Sequence, residues 1–276
     1  MSIMRVVAIT GCDSGLGWAL AARLAREGLV TVAGMYQGVD TKAAESLRNL
    51  CAHPCSLDVT NTESIAGFRD YVKCLLNDNP NYKIHAIVNN AGVMTIGDYE
   101  WQTPEMIEST VNINLLGAMR VVSAFLPDLR RSMMPVDMYP PYLSTARIKN
   151  KYFSFFLIHF LVPGGFVGSS NIIASQGSRG NAMLEHLNDE QRSYYEKRIT
   201  TLTNYLQSAT AHNTRYDSLK DENIIETFVK ALADDSPKDL YKVESWRYMF
   251  YYNLFKLPLP EVTLNWLVKK FLNFPE

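Results

Sequence analysis

Hydrophobic and polar positions change their period block by block along the first half of the chain. Val6-Val7-Ala8-Ile9 is a short unbroken apolar run of the kind a strand buried on both faces requires. Leu16, Leu20 and Leu24 follow at helical spacing, and Gly28 stands where a C-terminal cap belongs. The pattern then predicts a strand over 29–35, a short helix over 43–50 and a third strand ending at Ser56-Leu57-Asp58. Ile65, Phe68, Val72 and Leu75 mark one face of a further helix, which runs out at 77–80, and 84–89 reads as a fourth strand. Strands alternating with helices predict an α/β fold with a parallel, doubly wound sheet and right-handed crossovers. Thr103-Pro104 opens another helical region, where Leu115, Met119, Val122 and Leu126 keep the period as far as Arg130-Arg131. A fifth strand is expected over 168–175.

Beyond Gly180 the character changes. Residues 181–276 contain no glycine, and they read as charged helices to about Asp235, followed by an aromatic-rich tail. Leu240 to Val243 stands where a last strand is expected from the family resemblance described below. Leu264, Leu267, Val268 and Phe271 share one helical face, with Lys269 and Lys270 on another. The longest apolar run, Tyr152 to Val162, is too short to span a bilayer, so no membrane span is expected.

Composition narrows the function classes. The chain has 276 residues, 47% of them apolar, which suits one domain with a sizeable core. Its net charge of −1, with no basic block, argues against a nucleic-acid partner. Cys12, Cys51, Cys55 and Cys74 lack zinc spacing, and the N-terminus lacks a signal-peptide pattern, so reduced thiols in an intracellular compartment are expected.

The chemistry is concentrated in Thr10-Gly11-Cys12-Asp13-Ser14-Gly15-Leu16-Gly17, between the first strand and the first helix. Gly11 permits a tight turn, Gly15 lets backbone approach a pyrophosphate, and Gly17 allows close helix–strand packing, while the helix N-terminus offers free N–H groups. Together with Asp58-Val59-Thr60, Asn89-Asn90-Ala91-Gly92, Asn112-Ile113-Asn114-Leu115-Leu116-Gly117 and Phe125 to Arg131, this stretch resembles the successive motifs of a classical short-chain dehydrogenase/reductase. The resemblance is to the branch of retinol, hydroxysteroid and 3-hydroxybutyrate dehydrogenases. It implies a single Rossmann-type domain over 1–276, with 1–131 and 168–180 as core, 132–164 as an atypical insertion, and 181–276 as a mainly helical, incomplete C-terminal region.

By the same resemblance, Gly11, Ser14, Gly15, Leu16, Gly17, Asp58, Val59, Asn90, Ala91 and Gly92 hold the cofactor. Asp58 receives the adenine amino group, and Asn114 holds a water in a proton relay. Ser175 bonds the substrate oxygen, with Ser178 as its alternative. No metal is expected. The implied substrate is an apolar small-molecule alcohol or ketone, retinoid- or steroid-like. The implied location is the endoplasmic reticulum membrane, although this chain shows no anchor and only its tail suggests peripheral membrane contact. Tyr36-Gln37-Gly38-Val39-Asp40 carries no basic residue, which favours NAD over NADP.

The family's chemistry also needs a tyrosine, with a lysine four residues later, as general acid/base. Asn188 stands where the tyrosine is due. Tyr194 and Tyr195 are followed at four by Arg198 and Ile199. The pairs Tyr216/Lys220 and Tyr252/Lys256 have the spacing but lie far downstream, in charged or aromatic surroundings, and read as coincidences. The chain therefore reads as a family member lacking the Tyr-x-x-x-Lys segment after Gly180, either by a faulty gene reading or by divergence. Two functions follow: an impaired NAD-dependent oxidoreductase, or a non-catalytic dinucleotide-binding pseudoenzyme or interaction protein.

Overall fold

The computed structural model describes residues 3–133, 172, 174–210, 215–219, 221–233, 250 and 253–272. Four strands form one parallel sheet: β1 (Met4–Ile9), β2 (Val30–Met35), β3 (His53–Ser56) and β4 (Tyr82–Val88), in the order β3-β2-β1-β4. Helices α1 (Gly15–Arg26), α2 (Lys42–Asn49) and α3 (Thr62–Asp78) connect them. The alternation of the sequence therefore becomes a Rossmann-type α/β sheet.

Both faces of β1 are buried, as its unbroken apolar run requires. Val7 and Ile9 join one core with Leu20 and Leu24 of α1 and Leu47 of α2; Val6 and Ala8 join the other with Ile65, Phe68 and Val72 of α3. Gly28, at φ +83°, ends α1, with its N–H bonded to the Ala25 carbonyl. Asn61 caps α3, its Oδ1 accepting from the N–H groups of Glu63 and Ser64 at 2.8 and 3.1 Å.

After β4, a 3-10 turn (Tyr99–Trp101) leads into α4 (Pro104–Val111), a π-helical turn (Asn112–Gly117) and α5 (Ala118–Met133). By length and composition this continuous run is apolar enough to cross a membrane, contrary to the expectation that no segment is. Its Val121, Phe125 and Leu129 pack in the core against α3 and the sheet. The helix was legible, but its buried face was not: Leu115 and Met119 are about half exposed, at 51% and 52%. The core takes the row Gly117, Val121, Phe125 and Leu129 instead.

The described carboxy-terminal part is mainly helical, in α6 (Gln176–His186), α7 (Asp189–Thr210), α8 (Glu222–Ala233) and α9 (Glu261–Leu272). Ile224, Ile225, Phe228 and Leu232 of α8 complete the core beside α1. A third, smaller core joins Trp101 to Met183 and Leu187 of the α6 region and Ile199 of α7. Ala174 and Ser175 form a turn before α6 rather than the end of a strand. Residues 168–171 of the expected fifth strand, the insertion from 134 onward and Leu240 to Val243 lie outside the described residues. On α9, Leu267 is buried and Trp266 is exposed beneath the Lys270 ammonium.

Candidate functional site

The carboxyl ends of β1 and β4 are joined by a hydrogen-bonded clamp. Thr10 Oγ1 accepts from the N–H groups of Asn90 and Ala91 at 3.0 and 2.9 Å. Asn90 Nδ2 donates back to the carbonyls of Thr10 and Gly11 at 3.0 and 2.9 Å. Glycine is required inside this clamp. Gly11 sits at φ +70°, and a Cβ there would lie 2.7 Å from Ala91 Cα. A Cβ on Gly17 would lie 2.2 Å from the Gly11 carbonyl oxygen and 2.4 Å from Asn90 Nδ2. A side chain at Gly17 would thus strike the backbone of the turn and the Asn90 amide.

Beyond the clamp, Gly92 faces Asn114, and Asn114 holds the next residue in both directions. Val93 N donates to Asn114 Oδ1 and Asn114 Nδ2 donates to the Val93 carbonyl, each at 2.8 Å. The π turn carries Asn114 at this position, a wide helical turn of a kind frequent at functional sites. Val59 is buried against that turn, where a Cβ on Gly117 would meet Val59 Cγ2 at 2.8 Å. Asp58 Oδ1 accepts from the backbone N–H and hydroxyl of Thr60 at 2.8 and 2.7 Å. Asp58 is not the cap of α3, because Asn61 is.

On the other side of the glycine turn lies a cleft of about 540 Å³, lined by Asp13, Ser14, Gln37, Thr41, Lys42 and Ser175 among others. Its size falls in the range of small-molecule pockets, roughly 300–1,000 Å³. Cys12 of the glycine turn is fully buried, and burial, with the neighbouring Asp13 carboxylate, holds its thiol well above the usual range and therefore protonated. Tyr216 also reaches this cleft. Its ring lies 5.0 Å from that of Trp18, and its carbonyl accepts from Gly15 N at 3.1 Å, at the N-terminus of α1.

Ser175 is the N-cap residue of α6, and Ser178 donates its hydroxyl to the Ser175 carbonyl at 2.9 Å. Ser175 lines this cleft with Ser14 and Asp13, and Asn114 is not among its lining residues. A phenol and an ammonium, Tyr216 and Lys42, do share the cleft with Ser175, but no hydrogen bond joins a tyrosine or a lysine to the Ser175 hydroxyl among the described residues. Lys220 and Tyr252 lie outside the described residues. The Tyr195 hydroxyl donates to Glu100 at 2.9 Å, and the hydrogen bond to that carboxylate raises its pKa.

Two contacts escaped the sequence reading. Gln176, almost fully buried, donates to the Ile96 carbonyl at 2.7 Å and accepts from Ile96 N at 3.4 Å, and the Arg179 guanidinium donates to the Met94 carbonyl. They bind α6 to the loop after β4. Their only sequence signal is a glutamine and an arginine in a stretch predicted to flank a strand.

The parallel sheet, the glycine turn and the clamp define a Rossmann-type α/β domain with an open cleft at its strand ends. The family described as short chain dehydrogenase matches residues 5–134. Over these residues the chain is similar to the short-chain dehydrogenase family, and the relatives it matches are hydroxybutyrate, hydroxysteroid and retinol dehydrogenases. It is 36% identical over 132 residues to the mitochondrial D-beta-hydroxybutyrate dehydrogenase of Bos taurus, covering 46% of this chain and 38% of that protein. The 17-beta-hydroxysteroid dehydrogenase type 6 of Bos taurus is 38% identical over 132 residues, covering 46% and 40%. A longer, weaker likeness, 26% over 270 residues, covers 86% of this chain and 76% of the Mus musculus D-beta-hydroxybutyrate dehydrogenase. The chain thus spans about two fifths of the first two relatives.

Proposed function

We propose that this chain binds a nicotinamide dinucleotide, NAD in preference to NADP, at the glycine turn, and that its lineage chemistry is oxidation of the alcohol of an apolar, steroid- or retinoid-like molecule. The observation that carries the reading is the clamp of Thr10, Gly11, Gly17 and Asn90, which leaves no room for a side chain at Gly11 or Gly17 and sets the α1 N-terminus beside an open cleft. These residues fit the group. One donor, Gly15 N, is held by the Tyr216 carbonyl, so full engagement of a pyrophosphate requires residues 215–219 to withdraw.

In this reading Gly11, Ser14, Gly15, Leu16 and Gly17 cradle the pyrophosphate. Asp58 and Val59 border the adenine, and Asn90 to Gly92 follow the cofactor toward the nicotinamide. When bound, the nicotinamide supplies the hydride acceptor. Asn114, tied to the Val93 backbone, keeps the relay position, and Ser175 offers a hydroxyl from the α6 cap. No described tyrosine–lysine pair stands ready to take the alcohol proton. Loss of such acid/base help costs about a hundred- to ten-thousandfold in rate.

Titration of the purified chain with NADH, followed by cofactor fluorescence, is expected to saturate; failure to bind overturns the reading. Oxidation of retinol or a hydroxysteroid with NAD is expected to stay close to background. Turnover at a rate ordinary for a dehydrogenase would overturn the impaired chemistry while leaving the binding site intact. Binding with no turnover at all favours the second reading, a dinucleotide-binding pseudoenzyme.

A further inference from the structure

The end of β2 has no carboxylate of its own, since Met35 is followed by Tyr36 and Gln37. In dinucleotide-binding sheets an acidic residue there accepts from the adenosine ribose 2′-hydroxyl when the cofactor is NAD, and a cation replaces it when the cofactor is NADP. The structure nevertheless holds a carboxylate at this spot. Asp13 reaches across from the glycine turn, its Oδ2 accepting from Tyr36 N at 2.9 Å and its Oδ1 from Gln37 N at 2.8 Å. It lines the cleft with Ser14, Gln37, Thr41 and Lys42.

We propose that Asp13, delivered from the glycine turn to the end of β2, is the residue by which the chain selects NAD(H) over NADP(H). The inference rests on the dinucleotide reading above and gives that reading its specificity residue. Each carboxylate oxygen has accepted one N–H and keeps a second lone pair for a ribose hydroxyl. The two backbone bonds fix the carboxylate, so it cannot swing away from an incoming 2′-phosphate, and like charges then repel at short range. Lys42 is the opposing charge on the cleft. It stands exposed at the first residue of α2, with no hydrogen bond or ion pair among the described residues, so its ammonium remains hydrated while Asp13 is fixed in place.

Fluorescence titrations with NADH and NADPH test this on the wild-type chain, Asp13→Asn and Lys42→Ala. The wild type is expected to bind NADH about tenfold or more tightly than NADPH, the scale of one charge-assisted hydrogen bond. Asp13→Asn is expected to collapse that ratio toward one. If Asp13 served only to tie the turn to β2, the variant would weaken both cofactors alike and leave the ratio unchanged, and the proposal would be overturned. A wild type preferring NADPH, with the preference lost in Lys42→Ala, would overturn it as well. If Asp13→Asn does not fold, NADH lacking the adenosine 2′-hydroxyl probes the wild type directly: weaker binding by about tenfold supports the contact, and equal binding refutes it. Should neither cofactor bind the folded wild type, the dinucleotide reading itself fails, which the ratio experiments would not mimic.

Discussion

The turn after β1 and the loop after β4 are neighbours held by different means. The turn is fixed by backbone atoms and short side chains, Thr10 and Asn90, packed so closely that Gly17 tolerates no added carbon. The loop is held from the far side by long side chains of the carboxy-terminal helices: Gln176 on Ile96, Arg179 on Met94, and Tyr195 and Gln191 on Glu100. Long side chains reach many geometries, whereas a glycine in van der Waals contact with a carbonyl reaches one. The contrast separates a half whose shape is dictated by sterics from a half that leans on it.

Gly17→Val should break the first half outright. Its Cβ would start 2.2 Å from the Gly11 oxygen, and no flexible side chain there can yield. A loss of about 3 kcal/mol or more is expected, read as loss of the cooperative urea transition by circular dichroism. Gly180→Val makes the matching test in the second half, where the Cβ would meet Thr203 Oγ1 at 2.3 Å between α6 and α7. Here the helix pair is expected to part while the sheet keeps its hydrogen-exchange protection. Equal loss of protection in both halves would show that they form one cooperative unit and erase the contrast.

Met183→Ala probes the small core that joins the halves. Met183 is buried against Trp101, Leu187 and Ile199, and its methyl end would touch a Cβ on Gly97 at 3.0 Å. Truncation is expected to cost about 2–4 kcal/mol in urea unfolding, with NADH affinity lowered through the loop after β4 rather than at the turn.

The physical difference between the halves also explains what could be read from sequence. Val6 to Ile9, the leucines of α1 and Phe68 on α3 announced themselves because burial on a regular element leaves a period. The wrong face of α5 shows the limit: Leu115 and Met119 keep the helical period as faithfully as Val121 and Phe125, and only the position of the sheet decides between them. Gly11 and Gly17 were legible because glycines spaced between a strand and a helix form a local pattern. Asp13, Gln176 and the Tyr216 carbonyl were not, since each acts on backbone far away in the chain, and backbone partners leave no mark in side-chain spacing.

Asn114→Ala removes two hydrogen bonds to Val93 at an exposed position. A cost of about 1 kcal/mol is expected in urea unfolding, because water can replace the lost partner. If the cost were several times larger, the π turn would have to depend on this one side chain, and the steric account of the first half would need a polar element.

The smallest effect is expected where the two halves touch at the turn itself. Tyr216 belongs to the carboxy-terminal half, yet its carbonyl takes Gly15 N and its ring rests on Trp18. The ring contact is worth about 0.5–1.5 kcal/mol, and its removal releases the carbonyl without altering any group of the turn. Tyr216→Ala is therefore expected to tighten NADH binding by about threefold to tenfold, and Tyr216→Phe, which keeps the ring, to leave it unchanged. In the wild type, saturating NADH should speed tryptic cleavage after Arg215, since residues 215–219 must lift for the pyrophosphate to reach Gly15. Weaker binding in Tyr216→Ala, with cleavage unaffected by NADH, would mean that this segment forms part of the cradle instead of competing with its ligand. The carboxy-terminal half would then complete the site that the amino-terminal half begins.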